Sequence, residues 1–403
     1  MSMLELLSRK DIWESFYEYK LSLAVPKRFT KELRAFIDGE RYIPVCEGIS
    51  AGRAFPLPKK TVISKLGTDK KRVVYTYPEP ENTVLKLLTY LILRKYDGLF
   101  RGTGLYSFRP GRTAKDAVRA LLRIKAVPSM YSYKADIHDY FNSVPIDALL
   151  PMLKDVLSDD DELFSFLAAL LTEPCVLERG VSIGERKGIM AGTPLSSFYA
   201  NLYLAELDRH FADAGVIYAR YSDDVILFAK TAEEAEAHAE YICAFLKEKG
   251  LEMNPDKESF SAPEDGFTFL GFICKDGKVD IAPATVKKLK RKMKRKRDAL
   301  VRWYKRRGVD GAEAAKAFIR VFNRKLLESP RDSELSWSSW FFPVINTAES
   351  LHAIDLYAQD CLRYMISGTH TKSRFNVRYE DLKKLGYRSL VNEYFSHREN
   401  TSS

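Results

Sequence analysis

The stretch VIYARYSDDVILFAK constrains the fold more than any other part of the chain. Two apolar and aromatic runs, Val216 to Tyr218 and Val225 to Phe228, flank a polar centre in which Asp223 and Asp224 stand side by side. Arms this apolar are buried as the two strands of a β-hairpin, which leaves the acids at a tight turn on a stiff base. A second strand-like segment, MYSYKADIHDYF, stops at another carboxylate, Asp136. If these strands are neighbours in one sheet, three carboxylates converge from rigid elements, as hard divalent cations require of their oxygen ligands. Taken alone, Ser-Asp-Asp is an ordinary turn sequence, because Asp favours turns. Its meaning depends on the rest of the chain.

Periodicity orders the elements around these strands. Phe55 to Tyr77 has the β-branched and aromatic pattern of a hairpin, with a lysine-rich tip around Gly-Thr-Asp. ENTVLKLLTYLILRKY and AKDAVRALLRIKA repeat apolar residues at helical spacing. After the Asp136 strand come a helix rich in Leu and Phe, then GIMAGTPLSSFYANLYLAELDRHF, helical beyond its Gly-Thr-Pro, then the Ser-Asp-Asp hairpin. A helix from about residue 232 to residue 249 and short strands around Glu252 and Phe269 follow, giving the β-α-β-β-α-β order of a split βαβ sheet. Beyond Pro283 the pattern is helical, interrupted by a Trp-rich loop, SWSSWFFP. Asn346 and Glu349 have the spacing of a capping box, opening a helix with Leu351, Ile354, Cys361 and Met365 on one face. These shifts divide the chain into an N-terminal helical segment, 1–50, and three larger parts, 51–130, 131–283 and 284–403.

A chain of 403 residues, 46% hydrophobic and 29% charged, can bury the core of two or three packed subdomains. Its net charge of +10 is concentrated: Lys287 to Arg307 holds thirteen Lys or Arg against one acid, Asp298, so the remainder is slightly acidic. Within this run Val286, Leu289, Met293, Leu300 and Trp303 form the apolar edge of an amphipathic helix, and a cationic face so poor in acids calls for a polyanion. Five scattered cysteines with no CxxC pair exclude a disulfide framework and a zinc site, and point to a reducing cytoplasm. With no run of eighteen apolar residues and no secretory leader pattern, neither membrane insertion nor secretion is expected.

YSDD, from Tyr221 to Asp224, resembles the YxDD box of reverse transcriptases, and it does not stand alone. SFRPGRTAKDAV from Ser107, KADIHDYFNSV from Lys134, AGTPLSSFYANLYLAELD from Ala191, GLEMNPDKESF from Gly250 and FTFLGF from Phe267 resemble the family's other blocks in their order. The resemblance implies an α+β fold, a right-hand polymerase with fingers over 51–130, a split-βαβ palm over 131–283 that includes part of the fingers, and a helical thumb with a C-terminal extension over 284–403. It implies an RNA-directed DNA polymerase that uses dNTPs and two Mg²⁺ ions, with Mn²⁺ as a substitute. Asp136, Asp223 and Asp224 become metal ligands with the backbone carbonyl of Ile137, and Phe141 a steric gate against a ribose 2′-hydroxyl. Lys71 and Arg72, with Lys70 beside them, would meet the triphosphate. Gly192 would allow close approach to the nucleotide, and Lys257 would be a general acid for pyrophosphate. Arg109 and Arg112, guanidinium groups beside Gly and Pro, suit contacts to phosphate or template backbone. The basic helix, through Lys290, Lys294 and Arg297, would lie along template and primer.

Ala191 stands where the commonest family pattern has Gln, which removes one contact to the incoming sugar. FLGF replaces the VTG typical of retron enzymes, and the stretch after it is expected to be too short for endonuclease or RNase H domains. These features resemble the stand-alone bacterial reverse transcriptases associated with antiphage defence, which implies a dedicated noncoding RNA as template and a DNA product. Two alternatives are a solitary group II intron-type reverse transcriptase with maturase activity and a non-catalytic RNA-binding protein on the same fold.

Overall fold

The computed structural model describes residues 2–23, 25–64, 71–308, 310–328 and 336–402. It is an α+β fold that divides into two compact units, Met1–Leu23 with Thr30–Asp265, and Ala24–Phe29 with Gly266–Ser403. Among the described residues no helix is long and apolar enough to cross a membrane. All five cysteines are unpaired.

Among the described residues the first unit contains eight strands: β1 Lys59–Ser64, β2 Lys71–Thr76, β3 Tyr131–Asp136, β4 Cys175–Glu178, β5 Val181–Gly184, β6 Ile217–Tyr221, β7 Asp224–Ala229 and β8 Ser259–Ser261. Four form an antiparallel sheet in the order β6-β7-β3-β8. Its central strand β7 buries Val225, Ile226, Leu227 and Phe228 in succession, so its apolar run lacks the alternation of a half-exposed strand. Helix Ala232–Glu248 links β7 to β8, and helices Ser196–Tyr203 and Ala205–Asp213 precede β6. Every residue of Ser196–Tyr203 except Ser197 is buried, as a helix without a polar face must be.

The expected hairpin is the β1–β2 pair, and its Gly-Thr-Asp turn with Lys70 lies outside the described residues. The sequence reading missed a second hairpin, β4–β5, which extends that pair into a sheet of order β2-β1-β4-β5. It also misplaced the last strand of the split sheet. That strand is β8, whereas Met253 makes only an isolated bridge to Ile137. Pro255, which lacks an N–H, opens a 3₁₀ turn over Pro255–Lys257 before pairing resumes.

The second unit holds a three-stranded antiparallel sheet, β9 Phe267–Phe269, β10 Phe272–Lys275 and β11 Lys278–Ile281, so Phe269 belongs to this sheet and not to the split one. Its helices are Pro283–Arg307, Gly311–Leu326, Trp337–Phe341, Glu349–Ser367, Tyr379–Lys384 and Leu390–Ser402. The long basic helix buries Val286, Met293, Leu300 and Val301. The Trp-rich segment is helical over Trp337–Phe341, because the Ser336 side chain accepts the Ser339 N–H and caps it. The expected capping box at Glu349 is not formed. Asn346 accepts the Val279 N–H at 2.7 Å and donates to the Gly277 carbonyl at 2.9 Å, clamping the β10–β11 hairpin instead. Leu351, Ile354, Cys361 and Met365 do share a buried face. On the same helix buried Asp355 accepts from the Tyr387 and Ser389 hydroxyls and from the Leu390 and Val391 N–H groups, at 2.6–3.1 Å, which fastens the last helix.

One buried network in the first unit determines where the Asp223–Asp224 turn sits. Arg220 interrupts β6 and is fully buried with Asp208. Its Nε and Nη2 donate to the Asp208 carboxylate at 2.7 and 2.5 Å, and the Tyr218 hydroxyl donates to the same group at 3.0 Å. Nη1 donates to the Ser222 carbonyl at 3.1 Å. Ser222 is left-handed, φ 63°, and its N–H donates to Ser107 Oγ at 2.9 Å. Ser107 in turn donates to Asn201 Oδ1 at 3.2 Å, and Asn201 Nδ2 returns to the Ser107 carbonyl at 2.9 Å. Removing one partner of such a pair strands a buried charge. Asp208→Asn and Arg220→Met should therefore each lower the unfolding free energy by roughly 3–5 kcal/mol in urea melts. Breaking the exposed Lys278–Glu349 pair with Lys278→Ala should change the melt far less than either of these, because solvent screens such a pair. Equal costs at the two sites would refute the assignment of the buried pair as the support of the turn.

Candidate active site

In the β3–β7 register Asp136 lies directly opposite Asp224, and the Ile137 N–H donates to the Asp223 carbonyl at 3.1 Å. Backbone pairing thus sets Asp136 beside Asp224, with Asp223 at the adjoining turn. Like charges opposite one another on adjacent strands repel. Burial first, and then the Asp136 charge, raises the Asp223 carboxyl above its ordinary range, and burial with the Asp223 and Asp136 charges pushes Asp224 up to about 6. Lys134, two residues before Asp136 and on the same face of β3, opposes the rise at Asp224. Lys257 opposes it from the 3₁₀ turn, its Nζ 2.5 Å from Asp136 Oδ1. Asn254 donates its N–H to the Asp136 carbonyl at 2.8 Å and its Nδ2 to Oδ1 at 3.3 Å.

Among the described residues no three His, Cys, Asp or Glu side chains are gathered closely enough to form a ready-made metal centre. The donor set nevertheless fits divalent cations. It is all oxygen, its members repel one another, and two carboxyls are raised by burial and neighbouring charge that a cation would offset.

Beside the carboxylates, Phe141 is half-buried, its ring edge-on to Phe108 at 6.3 Å and to Tyr140 at 5.6 Å. The next residue, Asn142, was not singled out by sequence and joins three segments. Its Oδ1 accepts the Ala191 N–H at 3.2 Å, and its Nδ2 donates to the Val73 carbonyl of β2 at 3.4 Å and to Asp139 at 3.2 Å. The Ala191 carbonyl accepts the Tyr75 N–H at 2.8 Å. The loop therefore lies against β2 at a place where a Cβ on Gly192, φ 101°, would meet the Tyr75 carbonyl at 3.0 Å. At Gly188 a Cβ would sit 2.6 Å from the Phe141 and Asn142 carbonyls. Glycine at both positions lets the three backbones approach.

The expected phosphate and nucleic-acid contacts fare differently. Lys71 and Arg72 are exposed at the start of β2. Arg112 is exposed with its guanidinium 5.3 Å from the Tyr106 ring. Arg109 corrects its expectation: its side chain is 3% exposed, bound to Asp97 at 2.7 and 2.9 Å and to the Phe100 carbonyl at 2.8 Å, so its donors serve the fold. Arg297 is similarly engaged, 12% exposed, bound to Asp298 at 2.7 Å and packed on the Tyr364 ring. Lys294 is exposed, and Lys290 lies 5.7 Å over the Tyr357 ring. Sequence reasoning passed over Arg220 and Asp208 although one signal was available, an arginine inside an otherwise apolar strand.

Residues 57–274 match the family described as reverse transcriptase (RNA-dependent DNA polymerase), which is more than half of the chain. Among curated proteins the chain is similar to the Retron Ec86 reverse transcriptase of Escherichia coli, 27% identical over 106 residues. That similarity covers 25% of this chain and spans only 33% of the relative's length. Among solved structures it is similar to apo telomerase from Candida tropicalis, with a TM-score of 0.46, 13% identity, and coverage of 82% of this chain and 69% of that one. A form of the same protein truncated from its C-terminal domain gives a TM-score of 0.45, 14% identity, and coverage of 56% and 55%. With a family match that runs from just before β1 into β10 and takes in Asp136, Asp223 and Asp224, this chain belongs to the reverse transcriptase family.

Proposed function

We propose that the chain is an RNA-directed DNA polymerase of right-hand architecture that copies a dedicated noncoding RNA into DNA, in the service of antiphage defence. The observation that carries the reading is the register that sets Asp136 against Asp224 with Asp223 at the adjoining turn. On this reading residues 51–130 are the fingers, 131–283 the palm and 284–403 the thumb with its extension. The defence assignment rests on the features of Ala191 and FLGF given above, and the RNA template on family membership.

Asp136, Asp223 and Asp224, with the Ile137 carbonyl, would hold two Mg²⁺ ions. Bound there, the ions supply Lewis-acid chemistry, lowering the pKa of a primer 3′-hydroxyl and offsetting charge on a triphosphate. The chain's own groups do the rest. Lys71 and Arg72 neutralise the triphosphate from the start of β2. Asn142 holds the Ala191–Gly192 loop against β2, so the nucleotide meets a wall whose position does not depend on the missing Gln. Phe141 presents a ring edge where a 2′-hydroxyl would project. Lys257, half exposed on Asp136, holds a proton within reach of a departing pyrophosphate. Lys290 and Lys294 meet the template–primer backbone.

The reading is tested by purifying the protein from its native locus, sequencing co-purifying RNA and cDNA, and repeating with Asp223→Ala and Asp224→Ala. One abundant noncoding RNA with cDNA that vanishes in both variants is expected. Primer extension should fall by roughly a thousandfold or more, several kcal/mol of lost electrostatic stabilisation, with the circular dichroism spectrum unchanged. Extension that survives either substitution refutes the assignment of the carboxylates, and intron RNA in place of a dedicated transcript refutes the defence assignment. Phe141→Ala should relax discrimination against ribonucleotides, measured as a ratio of kcat/KM values, on the order of 10- to 200-fold. Asn142→Ala, losing a neutral hydrogen-bond staple, should raise the KM for dNTPs about fivefold with a smaller change in kcat; an effect on kcat alone would place Asn142 in the chemical step instead.

A further inference from the structure

Four residues around the candidate active site hold left-handed backbone without being glycine. They are Phe108, Asp139, Met190 and Ser222, at φ 55°, 40°, 60° and 63°. Ser222 precedes the two acids, Asp139 opens the short helix Tyr140–Ser143 that carries Phe141, and Met190 precedes the Ala191–Gly192 loop. Each of these three bends serves a turn already described. Phe108 does not, and a bulky aromatic residue at positive φ is an outlier. Strain of this kind persists only where the surroundings over-determine it, and it gathers at functional sites.

The chain is anchored on both sides of Phe108. Before it, Leu105 bridges Arg220, and fully buried Ser107 donates to Asn201 and accepts the Ser222 N–H. After it, buried Arg109 is bound to Asp97 and to the Phe100 carbonyl. Phe108 itself is 37% exposed, so filling the core does not explain its strain. What the conformation achieves is the edge-on contact of its ring with Phe141 at 6.3 Å. The Phe141 backbone is fixed separately, its carbonyl accepting the Ile189 N–H at 2.9 Å. The other ring neighbour, Tyr140, is locked by its hydroxyl on the Ala200 carbonyl at 2.6 Å. Edge-to-face pairs have a preferred geometry, so these two rings orient the half-buried ring between them.

We propose that Phe108 is a positioning residue for sugar selection: its ring holds the Phe141 ring at the angle that excludes a ribose 2′-hydroxyl. The proposal rests on the reading of Phe141 as the sugar gate. Ser107 receives the N–H of the acidic turn and Phe108 supports the gate, so one short segment keeps the carboxylates and the sugar wall in a fixed relation.

Primer extension by the full chain, with kcat/KM measured for a deoxynucleotide and its ribonucleotide counterpart, tests the assignment. Phe108→Ala should lower the deoxy-to-ribo ratio about 2- to 12-fold, the range of one lost edge-to-face pair, through a higher kcat/KM for the ribonucleotide. Phe108→Tyr, which keeps the ring, should keep the wild-type ratio. In a Phe141→Ala background Phe108→Ala should add nothing, since the ring it positions is gone. Phe108→Gly should lose discrimination to the same extent as Phe108→Ala but melt at a higher temperature, because glycine accepts the left-handed backbone without a Cβ. A fall in kcat/KM for both nucleotides alike would make Phe108 a residue of the fold and overturn the proposal, as would independent, multiplying effects of Phe108→Ala and Phe141→Ala. If Phe141→Ala leaves the ratio unchanged, the gate reading fails and the proposal with it. If Phe141→Ala relaxes the ratio and Phe108→Ala does not, the gate stands and the proposal alone fails.

Discussion

A single buried ion pair underlies the position of the Asp223–Asp224 turn. Arg220 and Asp208 are removed from water together, which is tolerable only because every strong donor and acceptor of the pair is met. The guanidinium fork spends two donors on the carboxylate and a third on the carbonyl of Ser222, the left-handed residue before the two acids. The turn is therefore anchored from the interior and not by its exposed tip. Ser107 and Asn201 extend the anchorage to two other segments. Three segments far apart in the sequence, around Ser107, Asn201 and Ser222, meet at this network as parts of one hydrogen-bonded object.

The same network shows what could be read from sequence and what could not. The YSDD hairpin and the strand ending at Asp136 were legible because their apolar arms are buried outright, and periodicity reports burial directly. The helix face of Leu351, Ile354, Cys361 and Met365 was legible for the same reason. Polar residues were harder to read, because a polar side chain tells nothing of its partner until the fold supplies one. Arg109 looked like a phosphate ligand beside Gly and Pro, yet Asp97 stands twelve residues upstream to take it. Asn346 had the spacing of a helix cap, yet the β10–β11 hairpin offered an unpaired N–H and a carbonyl at once. Asn142 gave no signal at all, since its partners are backbone groups on two distant segments. Strand β8 was misplaced because Pro255 breaks the pairing for a few residues and the strand that resumes is only three residues long.

The carboxylate site illustrates a general tension between stability and function. Burial and the neighbouring carboxylates raise Asp223 and Asp224, so a charge on either costs more here than it would in water. Lys134 and Lys257 relieve part of the repulsion. A stiff sheet beneath the turn is what allows a set of mutually repelling groups to be kept in register at all.

Asp355 places a condition on the order in which the chain can fold as it is made. The donors that satisfy this buried carboxylate lie 32 to 36 residues further on, from Tyr387 to Val391. At a synthesis rate of about 5–20 residues per second, the ribosome delivers them some 2 to 7 s after Asp355 itself. During that interval the helix that carries Asp355 can pack its apolar face only at the cost of an unmet charge. The first unit, whose last residue is Asp265, is complete well before then. Translation thus completes the sheet that carries Asp136, Asp223 and Asp224 first, and Asp355 is satisfied only once Tyr387 to Val391 have been made.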